Sequence, residues 1–358
     1  MRFLLSGYYG FANLGDEALL AQIVSGLRVR WPLAEIVVLS AEPEETAHRL
    51  RVRAVPRMDF GAVRRAIDDS DVVLSGGGGL LQSGTSLKSL LYYAGIIRSA
   101  VNAKKRTMIF AQSIGPLDFW GRQTVRECCK GVTAATVRDE RSRELLASLL
   151  PAVPVELTAD PVFLYEPPEA PPDLTRFGLG PQSEPFVLFA VRKTSRFVDA
   201  VAVLARAADR LAEVHGARVA FVPFGGAGDA EAASRVIRRC RSQPALVELD
   251  DLDAVAAAIA RARLVVGVRL HALILAVRLG TPFLAVSYDP KVSALSADAD
   301  YPLAPLWSVE GRAPERDVEA RVDEAWARRE ELAAHLRAVY PRFRAAADAN
   351  FAALARIV

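Results

Sequence analysis

The sequence predicts an α/β protein with two Rossmann-like, doubly wound domains and additional C-terminal helices. Short apolar runs rich in β-branched residues alternate with longer helical patterns in both halves of the chain, which is typical of βαβ units with a parallel sheet. A proline-rich stretch, residues 166–185, separates the two halves and is typical of a linker. The chain has 358 residues, 51% of them hydrophobic, which is enough for two cores.

Residues 1–165 are predicted to form the N-terminal Rossmann-like domain. The predicted strands are apolar throughout, so both faces of their sheet should be buried. The first predicted helix carries acidic residues at its positive end, where they are stabilising. The predicted strands are RFLLSG, EIVVLS, DVVLS, RTMIFAQSIG and AATVRD, and the helical patterns are DEALLAQIVSGLRVR, LKSLLYYAGIIRSA and ERSRELLASLL.

Residues 186–317 repeat this alternation and are predicted to form a second Rossmann-like domain. Residues 318–358 predict amphipathic helices that are broken at Pro341. Two such domains facing a cleft make the GT-B architecture, in which ligands bind beside the carboxyl ends of the strands. The predicted strands of this half are FVLFAVR, RVAFVPF, ALVEL, RLVVGV and PFLAVSY.

Composition excludes several classes of protein. The net charge of +3 does not favour a nucleic-acid partner. The three cysteines lack metal-ligand spacing and favour a reducing compartment, with no metal site. No apolar segment reaches the roughly 18 residues of a membrane span before a charge or a glycine-rich turn interrupts it, and the N-terminal apolar run is too short for a signal peptide. We therefore expect a cytoplasmic protein.

The segment GVRLHALILAV places a cation and an imidazole where a predicted strand gives way to a helix. In an extended segment, Arg269 and His271 would point the same way while Leu270 points into the core. The positive end of the following helix adds to their field. This combination predicts an anion site with an acid–base group. The alternative is a histidine that bonds only to a backbone carbonyl, beside an arginine that extends its charge into solvent.

Two glycine-rich segments follow predicted strands in the first half. NLGDEALL contains Asn13, Gly15 and Asp16, and Asp16 is predicted to cap the helix. SGGGGLLQSG contains Gly77 and Gly78, whose N–H groups would face a ligand. Either segment is also explained as a helix start or a tight turn. The pattern lacks the full dinucleotide fingerprint, so a nicotinamide cofactor is not expected.

Two further cations follow predicted strands. Arg138 in TVRDERS is placed to clamp a carboxylate or a phosphate, or else to pair with Asp139 or Glu140 on the surface. Lys291 in YDPKVSAL is expected in a loop at the same edge as His271. As one of few lysines in an arginine-rich chain, it adds to the candidate anion site.

Seven segments, in order from residue 7 and across both predicted domains, resemble the polysaccharide pyruvyl transferase family, and in particular its bacterial branch that acts on cell-wall glycan precursors. RLHA followed by DPK is the most specific pair, whereas VRKTSRF and VPFGGAGDAEAA match less clearly. The seven segments are GYYGFANLGDEALL, SGGGGLLQ, AQSIGPL, VRDERSRELL, TADPVFLY, GVRLHALILA and SYDPKV.

The resemblance implies a GT-B fold and transfer of pyruvate from phosphoenolpyruvate to a sugar diol, with no cofactor. The implied acceptor is N-acetylmannosamine in a lipid-diphosphate disaccharide. Its 4,6-ketal would serve cell-wall polymers that anchor surface-layer proteins. Such an acceptor implies peripheral contact with the cytoplasmic leaflet of the membrane. The residues implied in donor binding and catalysis are Arg138, Arg269, His271 and Lys291, with His271 and Arg138 catalytic; those expected at the acceptor are Asn13, Gly15, Asp16, Gly77 and Gly78.

Two other functions remain open from the residues. A nucleotide-sugar glycosyltransferase of the same architecture would also place cations at helix starts in its second domain. A non-catalytic glycan-binding relative would keep the fold and bind without turnover. The identity of the donor distinguishes the first alternative, and release of phosphate distinguishes the second.

Overall fold

The computed structural model describes the chain except for Thr85 and residues 181–183, 194–196, 226, 250, 288–289 and 309–316. The described chain forms two compact units. The N-terminal unit comprises residues 1–164 together with 343–358, and the C-terminal unit comprises residues 165–342. The last helix therefore begins in one unit and ends in the other. In the described part of the chain, no helix is both long and apolar enough to cross a membrane.

The N-terminal unit has a seven-stranded parallel sheet in the order β3-β2-β1-β4-β5-β6-β7. Both faces are covered, because neighbouring residues of β1 such as Phe3 and Leu4 are fully buried. The strands are β1 (Arg2–Ser6), β2 (Glu35–Ser40), β3 (Arg53–Pro56), β4 (Val72–Gly78), β5 (Arg106–Gln112), β6 (Ala134–Val137) and β7 (Val155–Leu157). The helices are α1 (Leu14–Arg30), α2 (Pro43–Leu50), α3 (Phe60–Asp68), α4 (Leu87–Asn102), α5 (Phe119–Cys129) and α6 (Glu140–Leu149).

Polar side chains define where most of these helices begin. Each accepts a hydrogen bond from a backbone N–H group of the first turn, which otherwise has no partner. The prediction that Asp16 caps α1 is wrong, because the cap is Asn13 and Asp16 lies inside the first turn. The capping residues are Asn13, Asp59, Ser86, Asp118 and Asp139.

The C-terminal unit has a six-stranded parallel sheet in the order β10-β9-β8-β11-β12-β13. The edge strand β13 was not predicted, because two residues give no readable pattern. The strands are β8 (Phe186–Ala190), β9 (Arg218–Phe221), β10 (Ala245–Leu246), β11 (Leu264–Gly267), β12 (Phe283–Ser287) and β13 (Trp307–Ser308). The helices are α7 (Phe197–Glu213), α8 (Ala227–Ile237), α9 (Leu252–Arg261), α10 (Leu270–Leu279), α11 (Pro290–Asp298), α12 (Val318–Ala327) and α13 (Arg329–Ala355).

The predicted break at Pro341 is wrong, because α13 continues through this proline. A proline inside a helix removes one hydrogen bond and disfavours the preceding turn. Packing on both sides of Pro341 offsets this cost. Leu336 is fully buried before it, and after it the ring of Phe343 stacks on Phe163 while that of Phe351 meets Phe110 edge to face.

Candidate functional site

The strand order of each sheet reverses at one point, and ligands of doubly wound folds bind beside the carboxyl ends of the strands there. In the N-terminal unit the reversal lies between β1 and β4, and in the C-terminal unit it lies between β8 and β11. Each pair of strands is adjacent in its sheet. The predicted acceptor residues lie at the first reversal point, and Arg269 and His271 lie at the second.

In the N-terminal unit, four of the predicted acceptor residues come together. Asn13 accepts from the N–H of Gly15 at 3.3 Å and donates through its side-chain amide to Asp16. A Cβ placed on Gly78 would lie 3.1 Å from an Asp16 carboxylate oxygen, so the end of β4 and the start of α1 adjoin. The cluster presents an amide, a carboxylate and glycine backbone, which are groups able to bind sugar hydroxyls.

Gly77 has φ +61°, and a Cβ there would lie 1.6 Å from a methyl carbon of the buried Leu19. We expect Gly77→Ala to destabilise the protein by about 2 kcal/mol or more, since strained backbone and overpacking add. Gly95 in α4 is the matched control, because a Cβ there would meet nothing within 4 Å. Gly95→Ala should stabilise by about 0.5–1 kcal/mol. Urea unfolding of both variants measures the difference, and equal midpoints would contradict this description.

Buried phenols hold the backbone beside this cluster. The Tyr9 hydroxyl donates to the carbonyl of Gly76 at 2.8 Å, and the Tyr93 hydroxyl donates to that of Gly7 at 3.3 Å. Burial raises the pKa of Tyr9 well above its usual value and that of Tyr93 to about 12, so both remain neutral donors. The Arg57 guanidinium donates to the Tyr93 oxygen at 3.1 Å. The loop after β1 is therefore anchored to the end of β4.

Arg138 follows β6 directly, as predicted, but its partners differ from those expected. Its Nε donates to Ser113 Oγ at 2.8 Å, and its Nη1 forms an ion pair with Asp160. The side chains of Arg138 and Asp160 are only 7% and 2% exposed. The alternative of surface pairing is wrong, because Asp139 caps α6 and Glu140 pairs with Arg143.

Asp160 and Ser113 were missed as members of this arrangement. Asp160 also accepts from the N–H of Val162 at 2.9 Å and so fixes the turn after Ala159. The segment TADPVFLY that contains it was recognised as a motif without a role for its carboxylate. The N–H of Ser113 donates to the carbonyl of Gly78 at 2.9 Å, which connects the Arg138 environment with the end of β4.

In the C-terminal unit, α10 begins at Leu270, and His271 lies in its first turn. The prediction of an extended Arg269–His271 segment with Leu270 in the core is wrong. The Arg269 carbonyl already accepts from the N–H groups of Ala272 and Leu273, and Leu270 is only partly buried. His271 is partly buried beside the amide groups of the helix start, which carry positive partial charge.

Arg269 forms a two-point ion pair with Asp229 in the first turn of α8. Its Nε and Nη2 donate to the two carboxylate oxygens at 2.7 Å each. Asp229 is nearly fully buried. A Cβ on Gly225 would lie 2.0 Å from Nη2 of Arg269, so this glycine leaves space for the guanidinium. Asp229 was missed, although it lies in the segment VPFGGAGDAEAA that matched the family less clearly.

Lys291 lies in the first turn of α11, whereas a loop was predicted. Residues 288–289 of its motif lie outside the described residues. Because β11 and β12 pair in parallel, α10 and α11 begin at the same edge of the sheet. The C-terminal unit therefore has His271 and Lys291 in the first turns of helices that follow neighbouring strands, with Arg269 at the start of one of them. Arg138 belongs to the N-terminal unit.

This arrangement can bind an anion and move a proton. Helix starts bind phosphate and carboxylate groups through their N–H groups, and lysine and arginine add full charges. Histidine exchanges a proton near neutral pH. Among the described residues, no group of three or more His, Cys, Asp or Glu side chains could hold a metal ion. The expectation that no metal is needed stays a prediction.

Comparison with solved structures identifies GT-B proteins with the same fold. A putative UDP-N-acetylglucosamine 2-epimerase from Listeria monocytogenes is 11% identical, with a TM-score of 0.68 over 99% of this chain and 95% of its own. Alr3699/HepE from Anabaena, solved with UDP, is 11% identical, with a TM-score of 0.62 over 100% of both chains. The spinosyn rhamnosyltransferase SpnG is 12% identical, with a TM-score of 0.59 over 99% of this chain and 100% of its own. At these identities the likeness shows the fold alone.

Comparison of sequences is more specific. A family profile described as polysaccharide pyruvyl transferase matches residues 13–290. The match extends from the start of α1 to the start of α11, so it includes the predicted donor positions Arg138, Arg269 and His271 and ends one residue before Lys291. No curated protein matches the chain.

Proposed function

The chain belongs to the polysaccharide pyruvyl transferase family, and from this premise we propose that it transfers pyruvate from phosphoenolpyruvate to two hydroxyls of one sugar. The product is a cyclic ketal, and phosphate is released. Membership supports a transferase acting on polysaccharide. The donor, the ketal and the residue roles below belong to the proposal.

The observation that carries the proposal is the placement of His271 and Lys291 in the first turns of α10 and α11, which follow neighbouring parallel strands. Phosphoenolpyruvate has a carboxylate and a phosphate on the same carbon, so its site must supply positive charge from more than one direction. Two helix starts, an ammonium and the Arg269 guanidinium supply such charge. His271 then lies beside the bound donor.

The proposed reaction begins with proton transfer to the methylene carbon of phosphoenolpyruvate. The imidazolium of His271 gives this proton, and positive charge develops on the carbon that carries the phosphate. One sugar hydroxyl adds to that carbon and loses its proton. The second hydroxyl then displaces phosphate and loses its own proton, which leaves a methyl group and two ether bonds. His271 is suited to the proton steps because imidazole both gives and takes protons near neutral pH.

Arg138 and Arg269 are retained as donor-binding positions, with Arg138 also catalytic. Each guanidinium has five N–H donors, and the contacts described above use Nε and one terminal nitrogen of each. In this proposal the carboxylates of Asp160 and Asp229 hold the guanidinium planes in place. The remaining N–H groups of the two guanidiniums then bind the carboxylate or the phosphate of phosphoenolpyruvate.

For the acceptor, we propose an amino sugar bound at Asn13, Gly15, Asp16, Gly77 and Gly78. The resemblance to the bacterial branch supports N-acetylmannosamine in a lipid-diphosphate disaccharide, pyruvylated at its 4- and 6-hydroxyls. The product would serve cell-wall polymers that anchor surface-layer proteins. A lipid-linked acceptor requires the enzyme to work at the cytoplasmic leaflet, so we propose a cytoplasmic protein with peripheral membrane contact.

A nucleotide-sugar glycosyltransferase is the second candidate. The observation in its favour is that the fold is shared with proteins solved with UDP or described as rhamnosyltransferases. Such an enzyme could also use the starts of α10 and α11 to bind a diphosphate. The two candidates differ in the donor that they consume.

A donor screen tests this proposal. The purified protein is incubated with an aryl-tagged amino-sugar disaccharide and either phosphoenolpyruvate or a set of nucleotide sugars. We expect phosphate release and product only with phosphoenolpyruvate, in equal amounts. We also expect unchanged rates after treatment with a chelator, because protein cations would balance the donor charge. Consumption of a nucleotide sugar would contradict the proposal, as would donor binding without phosphate release.

A further inference from the structure

Large apolar side chains are exposed along one edge of the N-terminal unit. Phe60, Phe119 and Trp120 are each 65–69% exposed, and Met58, Leu87 and Leu91 are about half exposed or more. Apolar residues that are exposed singly are ordinary, whereas a group on one side of a protein usually marks an interaction surface. We name these six residues the apolar rim.

The apolar rim is built from the starts of three adjacent helices. Phe60 is the first residue of α3, Leu87 is the first of α4, and Phe119 and Trp120 are the first two of α5. These helices follow β3, β4 and β5, so all three begin at the carboxyl edge of the parallel sheet. The cluster of Asn13, Asp16 and Gly78, at the reversal point between β1 and β4, lies at this same edge.

Local contacts fix these helix starts relative to one another. The N–H of Asp118 donates to Ser83 Oγ at 2.9 Å, which joins the loop before α4 to the cap of α5. A Cβ on Gly121 would lie 3.3 Å from Leu90, so the first turns of α4 and α5 pack closely. The Tyr92 hydroxyl donates to the carbonyl of Arg57 at 2.9 Å, which joins α4 to the turn before α3. These contacts join the three helix starts into one surface.

Exposed basic side chains outnumber acidic ones around the apolar rim. The caps Asp59 and Asp118 place a carboxylate at the starts of α3 and α5, whereas α4 is capped by Ser86 and has no acidic residue in its first turn. Exposed Lys88 and Arg122 lie in the first turns of α4 and α5, and exposed Arg126 lies in the last turn of α5. In α3, a Cβ on Gly61 would lie 3.3 Å from an Asp59 carboxylate oxygen and 3.5 Å from Nη1 of Arg65, so this guanidinium lies near the carboxylate of the helix cap.

We propose that the apolar rim is the surface by which the enzyme docks on an anionic lipid bilayer. Aromatic and aliphatic side chains ringed by lysine and arginine are the composition of interfacial membrane anchors. The phosphates of anionic lipids complement the exposed lysine and arginines of these helices. A second copy of this chain fits less well, because it would bring the same positive charge against this one.

This inference rests on the proposed function in one respect: it explains how a lipid-linked acceptor reaches the enzyme. Docking by the apolar rim would bring the carboxyl edge of the N-terminal sheet to the membrane. The Asn13, Asp16 and Gly78 cluster at that edge would then face the headgroup layer, where the sugar of such an acceptor is found. An acceptor without lipid would not need the apolar rim.

Flotation with vesicles tests the surface directly. Neutral phosphatidylcholine vesicles are compared with vesicles that also contain phosphatidylglycerol. We expect binding only to the anionic vesicles at low salt, and a loss of roughly tenfold or more in the variant Phe119→Ser/Trp120→Ser. Lys88→Glu/Arg122→Glu should reduce binding to the level of neutral vesicles. The matched control is Val29→Ser/Leu33→Ser. These two apolar residues are even more exposed and lie at and just after the C-terminal end of α1, so this variant should bind like the unaltered protein.

Turnover of two acceptors separates this inference from the proposed function. With an aryl-tagged soluble acceptor, the Phe119→Ser/Trp120→Ser variant should keep its kcat/KM, whereas with a lipid-linked acceptor in anionic vesicles its KM should rise about tenfold. If the protein binds vesicles through the apolar rim but transfers no pyruvate, the proposed function is refuted and the docking surface is supported. Vesicle binding equal in all variants would overturn the docking surface. The docking surface would also be overturned if the protein bound no vesicles and sedimented as a dimer that the rim substitutions dissociate.

Discussion

Replacement of His271 by glutamine should lower the rate of pyruvyl transfer by roughly 100- to 10,000-fold, the range usual for general acid–base groups. Glutamine keeps much of the size of histidine and its amide can still form hydrogen bonds, but it cannot exchange a proton near neutral pH. His271 lies in the first turn of α10, so the substitution leaves the positive end of the helix in place. Donor affinity should therefore change little, because the interaction removed acts only during the reaction.

Single-turnover rates and calorimetric titration with phosphoenolpyruvate measure the two effects separately. Lys291→Ala is the contrasting variant, since it should weaken donor binding more than it slows the bound donor's reaction. His48→Gln is the matched control, because this exposed histidine of α2 lies on the N-terminal unit and should be replaceable without loss. Normal turnover of His271→Gln would contradict the assignment, and so would a defect confined to donor binding.

The second large effect is expected on stability. Asp160→Ala should lower the free energy of unfolding by about 3–5 kcal/mol, because it leaves the buried Arg138 guanidinium without its carboxylate. Both side chains are almost inaccessible to water, so solvent cannot replace the lost partner. The turn held by the bond from the N–H of Val162 is also released.

Urea unfolding followed by circular dichroism measures this change. The control is Glu140→Gln, which breaks an exposed ion pair with Arg143 in the same unit and should leave the midpoint unchanged, since solvent screens such pairs. A midpoint for Asp160→Ala equal to that of the unaltered protein would show that Arg138 does not depend on this carboxylate.

The fold was predictable because its signals are local. Continuous apolar strands such as those around Val73 and Val265, separated by helical patterns, indicate parallel sheets covered on both faces. For the candidate site, the sequence predicted individual residues at the ends of strands, but not the partners of its arginines. The partners of Arg138 and Arg269 lie 22 and 40 residues away in the chain, and such pairs depend on strand order, which periodicity does not contain.

Two other errors concern where a helix begins or continues. The alternation argument for Arg269 and His271 applies to extended backbone, yet helical hydrogen bonding to the Arg269 carbonyl starts immediately after the strand. Pro341 lowers the local preference for helix, but burial of Leu336 and Phe343 on either side outweighs it. In both places short-range hydrogen bonding or packing decided between structures that the sequence pattern left close in free energy.

The central claim is ketal formation from phosphoenolpyruvate, and one measurement tests it most directly. The reaction is run in heavy water with an aryl-tagged amino-sugar disaccharide, and the purified product is analysed by NMR. The account predicts a ketal carbon bonded to two sugar oxygens and a methyl group that carries one deuterium, because the proton delivered to the methylene carbon comes from an exchangeable group. A product with a vinyl group, or one glycosylated by a nucleotide sugar with phosphoenolpyruvate unused, would contradict it.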